Sequence, residues 1–287
     1  MRLCTIASDG YEEAAVGLSN GVISISQINN VTGEVFPNKL ESLIDLNLTK
    51  KLNEVVENYA LEPTILFPAV KFAPLMRKPS KVWGIGLNYK NSLDYVNVDI
   101  PPEPSLFMKP NSSIIGYKDI VELPPQSKYV IAEAELGVVI GKECKFLQES
   151  EAEDVIFGYT TLFDIVANGI LAVNPRFLAR AKSFDTFLSI GPWLVSKDEI
   201  GGLETIKIKS ILNDQLAISD VVNNMTYSPF YVVAYLSNVF TLRPGDIICM
   251  GTPKPVEINC GDKIECEIDK VGELINFVVS STMESRI

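Results

Sequence analysis

The stretch Ile131-Ala-Glu-Ala-Glu-Leu-Gly-Val-Val-Ile-Gly141 decides how the rest of the chain is read. Glu133 and Glu135 stand two apart among the small residues Ala132 and Ala134, and an apolar run from Leu136 to Ile140 follows. In a strand, side chains alternate with a period of two, so both carboxylates share one face, roughly 6–7 Å apart. Two like charges beside a segment bound for the core are costly unless a cation neutralises them. The remainder of the sequence has to supply that cation.

Outward from this strand the chain is again rich in strands. Lys81-Val-Trp-Gly-Ile-Gly86 reads as a strand whose Gly84 and Gly86 allow close approach of a neighbour. It is not a dinucleotide fingerprint, because no third glycine opens a helix at the required spacing. Leu106-Phe-Met-Lys109 is a strand ending in a lysine, and Asn91 to Pro104 is a polar loop or short helix. Gly158-Tyr-Thr-Thr-Leu-Phe-Asp-Ile-Val-Ala167 is β-branched and aromatic, with Asp164 set inside it. Ile206 to Val222 reads as a hairpin turning at Asn213-Asp214, and Gly261-Asp262 opens the last strands. Helices are few. Glu149 to Phe157 has Ser150 as its N-cap, and Pro229 to Phe240 has Ser228 as its cap with proline at the first position. Towards the N-terminus, strands alternate around Asn20-Gly21, Leu40 to Tyr59 carries apolar residues at helical spacing, and Pro63, Pro68 and Pro74 punctuate a linker. No βαβ alternation appears, so the expected class is α+β, mostly β, with a small domain over 1–75 and a main one over 76–287.

Composition narrows the chemistry. The chain has 287 residues and a formal net charge of −11, which argues against nucleic acid and anionic membranes as partners. No apolar run is long enough to span a bilayer and no signal peptide opens the chain, so a cytoplasmic protein is expected. Five cysteines without a C-x-x-C pair read as buried small hydrophobes. Histidine is absent. That removes histidine metal ligands, Ser-His and Cys-His nucleophile pairs, and any imidazole acid or base.

Three carboxylates, Glu133, Glu135 and Asp164, therefore adjoin apolar strands with no nitrogen or sulfur partner in view. A hard oxygen donor set selects Mg²⁺, Mn²⁺ or Ca²⁺ over Zn²⁺ and leaves positions open for water or a chelating substrate. The pattern alone leaves an alternative open: the two glutamates on a solvated strand face, and Asp164 capping a turn.

Nine blocks in order then resemble one family. They are Gly86-Leu-Asn-Tyr, Phe107-Met-Lys-Pro, Glu133-Ala-Glu-Leu-Gly-Val-Val-Ile-Gly, Gly158-Tyr-Thr, Asp164, Lys182-Ser-Phe-Asp-Thr-Phe, Gly191-Pro-Trp, Pro244-Gly-Asp-Ile and Gly251-Thr-Pro. Together, over about residues 80 to 278, they are similar to the fumarylacetoacetate hydrolase superfamily. The resemblance implies a mixed β-sandwich roll with a small N-terminal α+β domain, and a homodimer. It implies Mg²⁺ or Mn²⁺ on Glu133, Glu135 and Asp164, Lys182 as the active-site lysine, and Thr252 as a substrate contact. Lys109 and Ser92 join Thr252 as substrate-binding candidates. The implied substrate is a small 2-oxo or β-diketo acid, chelated so that the metal stabilises an enolate. Lys182 would add charge near that oxygen or carry a proton, its pKa lowered beside the metal; its alternative is a structural ion pair with Asp185 or Glu133.

Two departures from the family pattern bear on the reaction. Hydrolytic members carry a histidine four residues after the asparagine of the Asn-Tyr pair, and many add a glutamate three further on; here those positions are Ser92 and Tyr95. Asp94 is the candidate substitute base. The family's D-V-S-A-R-D becomes Asp164-Ile-Val-Ala-Asn-Gly, losing the arginine and aspartate at Asn168 and Gly169. The reading that follows is a metal enzyme for isomerisation or tautomerisation, decarboxylation or dehydration of a 2-oxo acid. A C–C hydrolase of fumarylacetoacetate or acylpyruvate type, and an inactive metal-binding member, are the alternatives.

Overall fold

The computed structural model describes residues 1–8, 10–92 and 99–281. The strand that carries Glu133 and Glu135 runs from Val130 to Ile140 at the centre of the larger of two sheets. In chain order the strands are β1 (Arg2–Ser8), β2 (Tyr11–Gly17), β3 (Gly21–Ser24), β4 (Ile65–Leu66), β5 (Val82–Gly86), β6 (Ser105–Met108), β7 (Ile114–Ile115), β8 (Ile120–Leu123) and β9 (Val130–Ile140). They continue with β10 (Ile156–Val166), β11 (Leu188–Ile190), β12 (Leu194–Ser196), β13 (Lys207–Leu212), β14 (Gln215–Val221), β15 (Ile247–Cys249), β16 (Val256–Ile258), β17 (Lys263–Ile268) and β18 (Gly272–Ser280). The α-helices used below are α1 (Ile25–Thr32), α2 (Leu40–Asp45), α3 (Thr49–Asn58), α4 (Ala152–Val155), α5 (Asn168–Val173), α6 (Leu178–Ala181), α7 (Lys197–Ile200) and α8 (Pro229–Val239).

The larger sheet runs β4-β3-β2-β1-β12-β10-β9-β15-β5-β6, with β11, β7 and β16 attached beside β10 and β9. β1 pairs antiparallel with β12, so the N-terminal strands extend the sheet that carries β9. The second sheet, β14-β13-β17-β18-β8, packs its β13, β17 and β18 across β9 and β10. The strand pattern predicts this mixed, mostly β class, and the sandwich is what the family resemblance implies.

Both faces of β9 are covered, and its period of two divides them. Ala132, Ala134, Leu136, Val138 and Ile140 enter the core shared with Ile208, Ile264, Ile268, Leu274 and Val278 of the second sheet. Val139, on the opposite face, joins a second core with Leu162, Leu194, Leu3, Ile25, Leu43 and Leu52. Glu133 and Glu135 belong to that second face, beyond Gly137. A methyl group at Gly137 would stand 2.6 Å from Thr160 Cγ2, which is why the face is narrow there.

Several local expectations need correction. The apolar spacing over Leu40–Tyr59 predicts one helix, but α2 and α3 are separate, and Asn47 between them turns left-handed at φ 52°. Asparagine tolerates that conformation, so the chain breaks there. Ser150 is not an N-cap. Gln148 caps a single 3₁₀ turn and exchanges hydrogen bonds with Glu151, α4 is only four residues long, and β10 already begins at Ile156. The hairpin at Asn213-Asp214 is as predicted, with both residues at positive φ. Ser228 caps α8 by accepting from the Tyr231 N–H, behind Pro229 at the first position.

Candidate metal centre

The antiparallel register of β9 with β10 sets Glu133 directly opposite Asp164 and Glu135 opposite Leu162. Side chains directly opposite share a face, so the three carboxylates converge. One oxygen from each of Glu133, Glu135 and Asp164 lies within 4.8 Å of the others. Glu135 and Asp164 are buried, and the Glu133 side chain keeps 18% of its surface. That single partly open member gives the cluster a side from which a ligand can approach.

Two lysines close on Asp164 from different oxygens. Lys109, just past the end of β6, puts its ammonium 2.5 Å from Oδ1 and 3.3 Å from the Ile165 carbonyl. Lys182, just past α6, donates to Oδ2 and reaches Glu133 Oε2 at 2.7 Å. Its ammonium also lies 4.3 Å from the centre of the Phe107 ring, a cation–π contact. Glu135 Oε2 accepts the Gly251 N–H at 2.7 Å. Gly251 sits at φ +85° with the Ile85 carbonyl and Asn88 Cβ each 3.0 Å from where a Cβ would be, so the turn can bring this N–H to the carboxylate only as glycine. Asn88 fixes the turn from outside, donating to the Met250 and Tyr227 carbonyls and accepting the Tyr227 N–H.

Electrostatics follow from this crowding. Burial, and then the charges of Asp164 and Glu133, push the Glu135 carboxyl well above its usual range. Burial likewise raises Glu133, with Lys182 pulling the other way. Burial lowers Lys109, partly offset by Asp164. Burial works against the Lys182 ammonium too, but Asp164, Glu133 and Glu135 outweigh it and raise its pKa. The lowering expected for Lys182 beside a bound metal concerns the loaded site, while the protein's own side chains raise it. A divalent ion fits the donor set: hard oxygens, one polar face, and no competing thiolate or imidazole ligand in the cluster.

The other predicted site residues fall as follows. Lys109 has no exposed side-chain surface, and its ammonium is taken up by Asp164 and Ile165. It reaches the centre as a partner of Asp164, and its role as a substrate contact stays a proposal. The ion pair of Lys182 with Glu133 is present. Thr252 is buried and its hydroxyl donates to the Lys254 carbonyl, within the turn that also brings Gly251 to Glu135. Ser92 is buried, its backbone N–H donating to Tyr89. Asp94 and Tyr95 lie outside the described residues. Sequence reasoning missed the Gly251 N–H, the Phe107 ring beneath Lys182 and the Lys109–Asp164 contact. Only the Gly-Thr-Pro turn carried a signal, since a glycine held at positive φ beside a site frees a backbone N–H.

Comparisons with known proteins agree with this geometry. Residues 81–279 match the family described as fumarylacetoacetate (FAA) hydrolase, C-terminal. The mitochondrial oxaloacetate tautomerase Fahd2a of Rattus norvegicus is 33% identical over 287 residues, covering 97% of this chain and 92% of that one. Maleylpyruvate hydrolase from Sphingobium sp. SYK-6, solved with manganese(II) and pyruvate, superposes with a TM-score of 0.81 at 28% identity, covering 98% of this chain and 100% of that one. The 5-carboxymethyl-2-hydroxymuconate delta-isomerase of Mycobacterium smegmatis gives a TM-score of 0.77 at 27% identity, over 98% and 100% of the two chains. No helix among the described residues is long and apolar enough to cross a membrane. With the profile spanning the β sandwich, and a relative at one-third identity along nearly the whole chain, this protein belongs to the fumarylacetoacetate hydrolase family.

Proposed function

We propose that the chain is a divalent-metal-dependent enzyme for a small 2-oxo acid, and that keto–enol tautomerisation of an oxaloacetate-like dicarboxylate is its first candidate reaction. The observation that carries this reading is the convergence of Glu133, Glu135 and Asp164 on one face of the β9–β10 pair with the Lys182 ammonium between two of them. Mg²⁺ or Mn²⁺ held by these carboxylates supplies positive charge to an enolate oxygen.

The protein's own groups do the rest. Lys182, whose ammonium donates to Glu133 and Asp164, is the hydrogen-bond donor for an oxygen that gains negative charge as the enolate forms. Glu133 and Asp164 orient that ammonium, and Phe107 supports it from the ring face. Thr252 stands in the turn beside the centre as a substrate contact, and Ser92 occupies the position where hydrolytic relatives carry histidine. A chain without histidine lacks the usual base for activating water, which tautomerisation does not need. The carbon-bound proton still needs an acceptor as the enolate forms, and Asp94 is the candidate that takes it and returns it on ketonisation. The relative named as an oxaloacetate tautomerase supports the same choice. Hydrolysis of an acylpyruvate is the second reading, supported by the manganese- and pyruvate-bound maleylpyruvate hydrolase, with Asp94 as its candidate base. A homodimer in the cytoplasm, with no nucleic acid or membrane partner, completes the proposal.

The test is an enol-absorbance assay. With Mg²⁺ or Mn²⁺, oxaloacetate should interconvert faster than in buffer, and oxalate should inhibit. Pyruvate release from acylpyruvates at a comparable or higher rate would put hydrolysis first. No metal-dependent effect on either substrate would contradict both readings.

A further inference from the structure

Lys109 is a lysine with no exposed side-chain surface, placed against a buried carboxylate that a second lysine already touches. Its Nζ donates to Asp164 Oδ1 and to the Ile165 carbonyl. Lys182 takes the other oxygen, Oδ2, and links it to Glu133 Oε2. The two cations thus divide Asp164: Oδ1 is committed to the protein, and Oδ2 faces the side shared with Glu133. Metal binding requires the three carboxylates deprotonated, and in that state they stand against two ammoniums with one negative charge in excess. A divalent ion would turn this into one net positive charge. Without Lys109 the loaded cluster would be neutral.

We propose that Lys109 is a positioning residue that sets the charge of the centre: it fixes Asp164 through Oδ1 and keeps the metal-loaded cluster net positive, so that a dicarboxylate is drawn in. The inference rests on the metal reading given above. It predicts a trade. Lys109 repels the metal and attracts the anionic ligand, so its removal moves the two affinities in opposite directions. A residue that only braces the fold would, when removed, weaken both.

The experiment measures Mn²⁺ affinity by calorimetry and oxalate affinity of the Mn²⁺-saturated protein, for the wild-type chain, Lys109→Met and Lys109→Gln, at mildly alkaline pH. Charges a few ångströms apart in a poorly screened site interact strongly, so the expected result in either variant is Mn²⁺ bound at least about tenfold tighter and oxalate at least about tenfold weaker. Loss of both affinities, or no change in oxalate binding, overturns the proposal. So does failure of both variants to show a cooperative melt even with saturating Mn²⁺, which would make Lys109 a brace of the core. If the wild-type chain itself binds no Mn²⁺, the metal reading fails first, a distinguishable result.

Discussion

At the scale of single residues, the centre is three carboxylates on one face of the β9–β10 pair, with two lysine ammoniums against Asp164. Glu133 and Glu135 share a face because they are two apart on β9, which the sequence states directly. That Asp164 lies opposite Glu133 depends on the register of β9 with β10, and nothing local specifies it. The partners of Lys109 were hidden for the same reason, since the contact spans 55 positions of chain. Lys182 illustrates how function and structure share one group: its ammonium is paired with Glu133, the one partly open carboxylate of the centre, whereas that of Lys109 is paired with the fully buried Asp164. Replacing Lys182 by methionine should therefore lower turnover about 100-fold or more, the cost of removing one donor to a developing oxyanion. Mn²⁺ affinity should not weaken, because a nearby positive charge is lost. Steady-state kinetics beside a Mn²⁺ titration checks both halves; turnover within a few-fold of wild type would leave this lysine structural.

At the scale of elements, turns and caps were easier to read than breaks. Asn213-Asp214 and Ser228-Pro229 carry their own conformational instructions, and both stand where expected. The break between α2 and α3 was hidden because apolar spacing continues through it, while the left-handed Asn47 that ends α2 is a backbone event. The β5–β6 ladder connects element to site. Gly84 pairs with Phe107, and a Cβ there would stand 2.1 Å from the ring on which Lys182 rests. Gly84→Ala should destabilise the fold by about 1–3 kcal/mol, the range for overpacking a filled site. It should also reduce turnover by moving that ring, with Mn²⁺ binding retained. Thermal melting and kinetics on the same preparation test this; an unchanged melting temperature would mean that Phe107 yields freely and does not hold Lys182. Gly86, given the same role by the sequence, has nothing nearer than Ser105 at 3.7 Å and should accept alanine better.

At the scale of the whole molecule, the mostly β class follows from the density of strands and the sandwich from the family resemblance, but the join of β1 to β12 follows from neither. That pairing links residues nearly 200 positions apart, and local pattern cannot specify it. Stability should also report the centre. Glu135 and Glu133 keep protons in the folded chain that the unfolded chain releases above about pH 4.5. The unfolded state then binds fewer protons, so metal-free stability falls as pH rises from there through the raised folded-state values. Glu135→Gln removes the most strongly shifted carboxyl, so its metal-free melting temperature should fall less with pH than that of wild type as pH rises above about 4.5. A steeper fall would mean that Glu135 is ionised without metal. Divalent ions should reverse the wild-type trend, with a stabilisation of about 2.7 kcal/mol at one hundred times the dissociation constant. The most direct measurement is Mn²⁺ binding to the purified chain, followed by calorimetry and electron paramagnetic resonance with and without oxalate. The expected result is one ion per chain, a spectrum that changes when oxalate is added, and affinity lost in Glu135→Gln and in Asp164→Asn. Absence of binding, or binding indifferent to both substitutions, would contradict it.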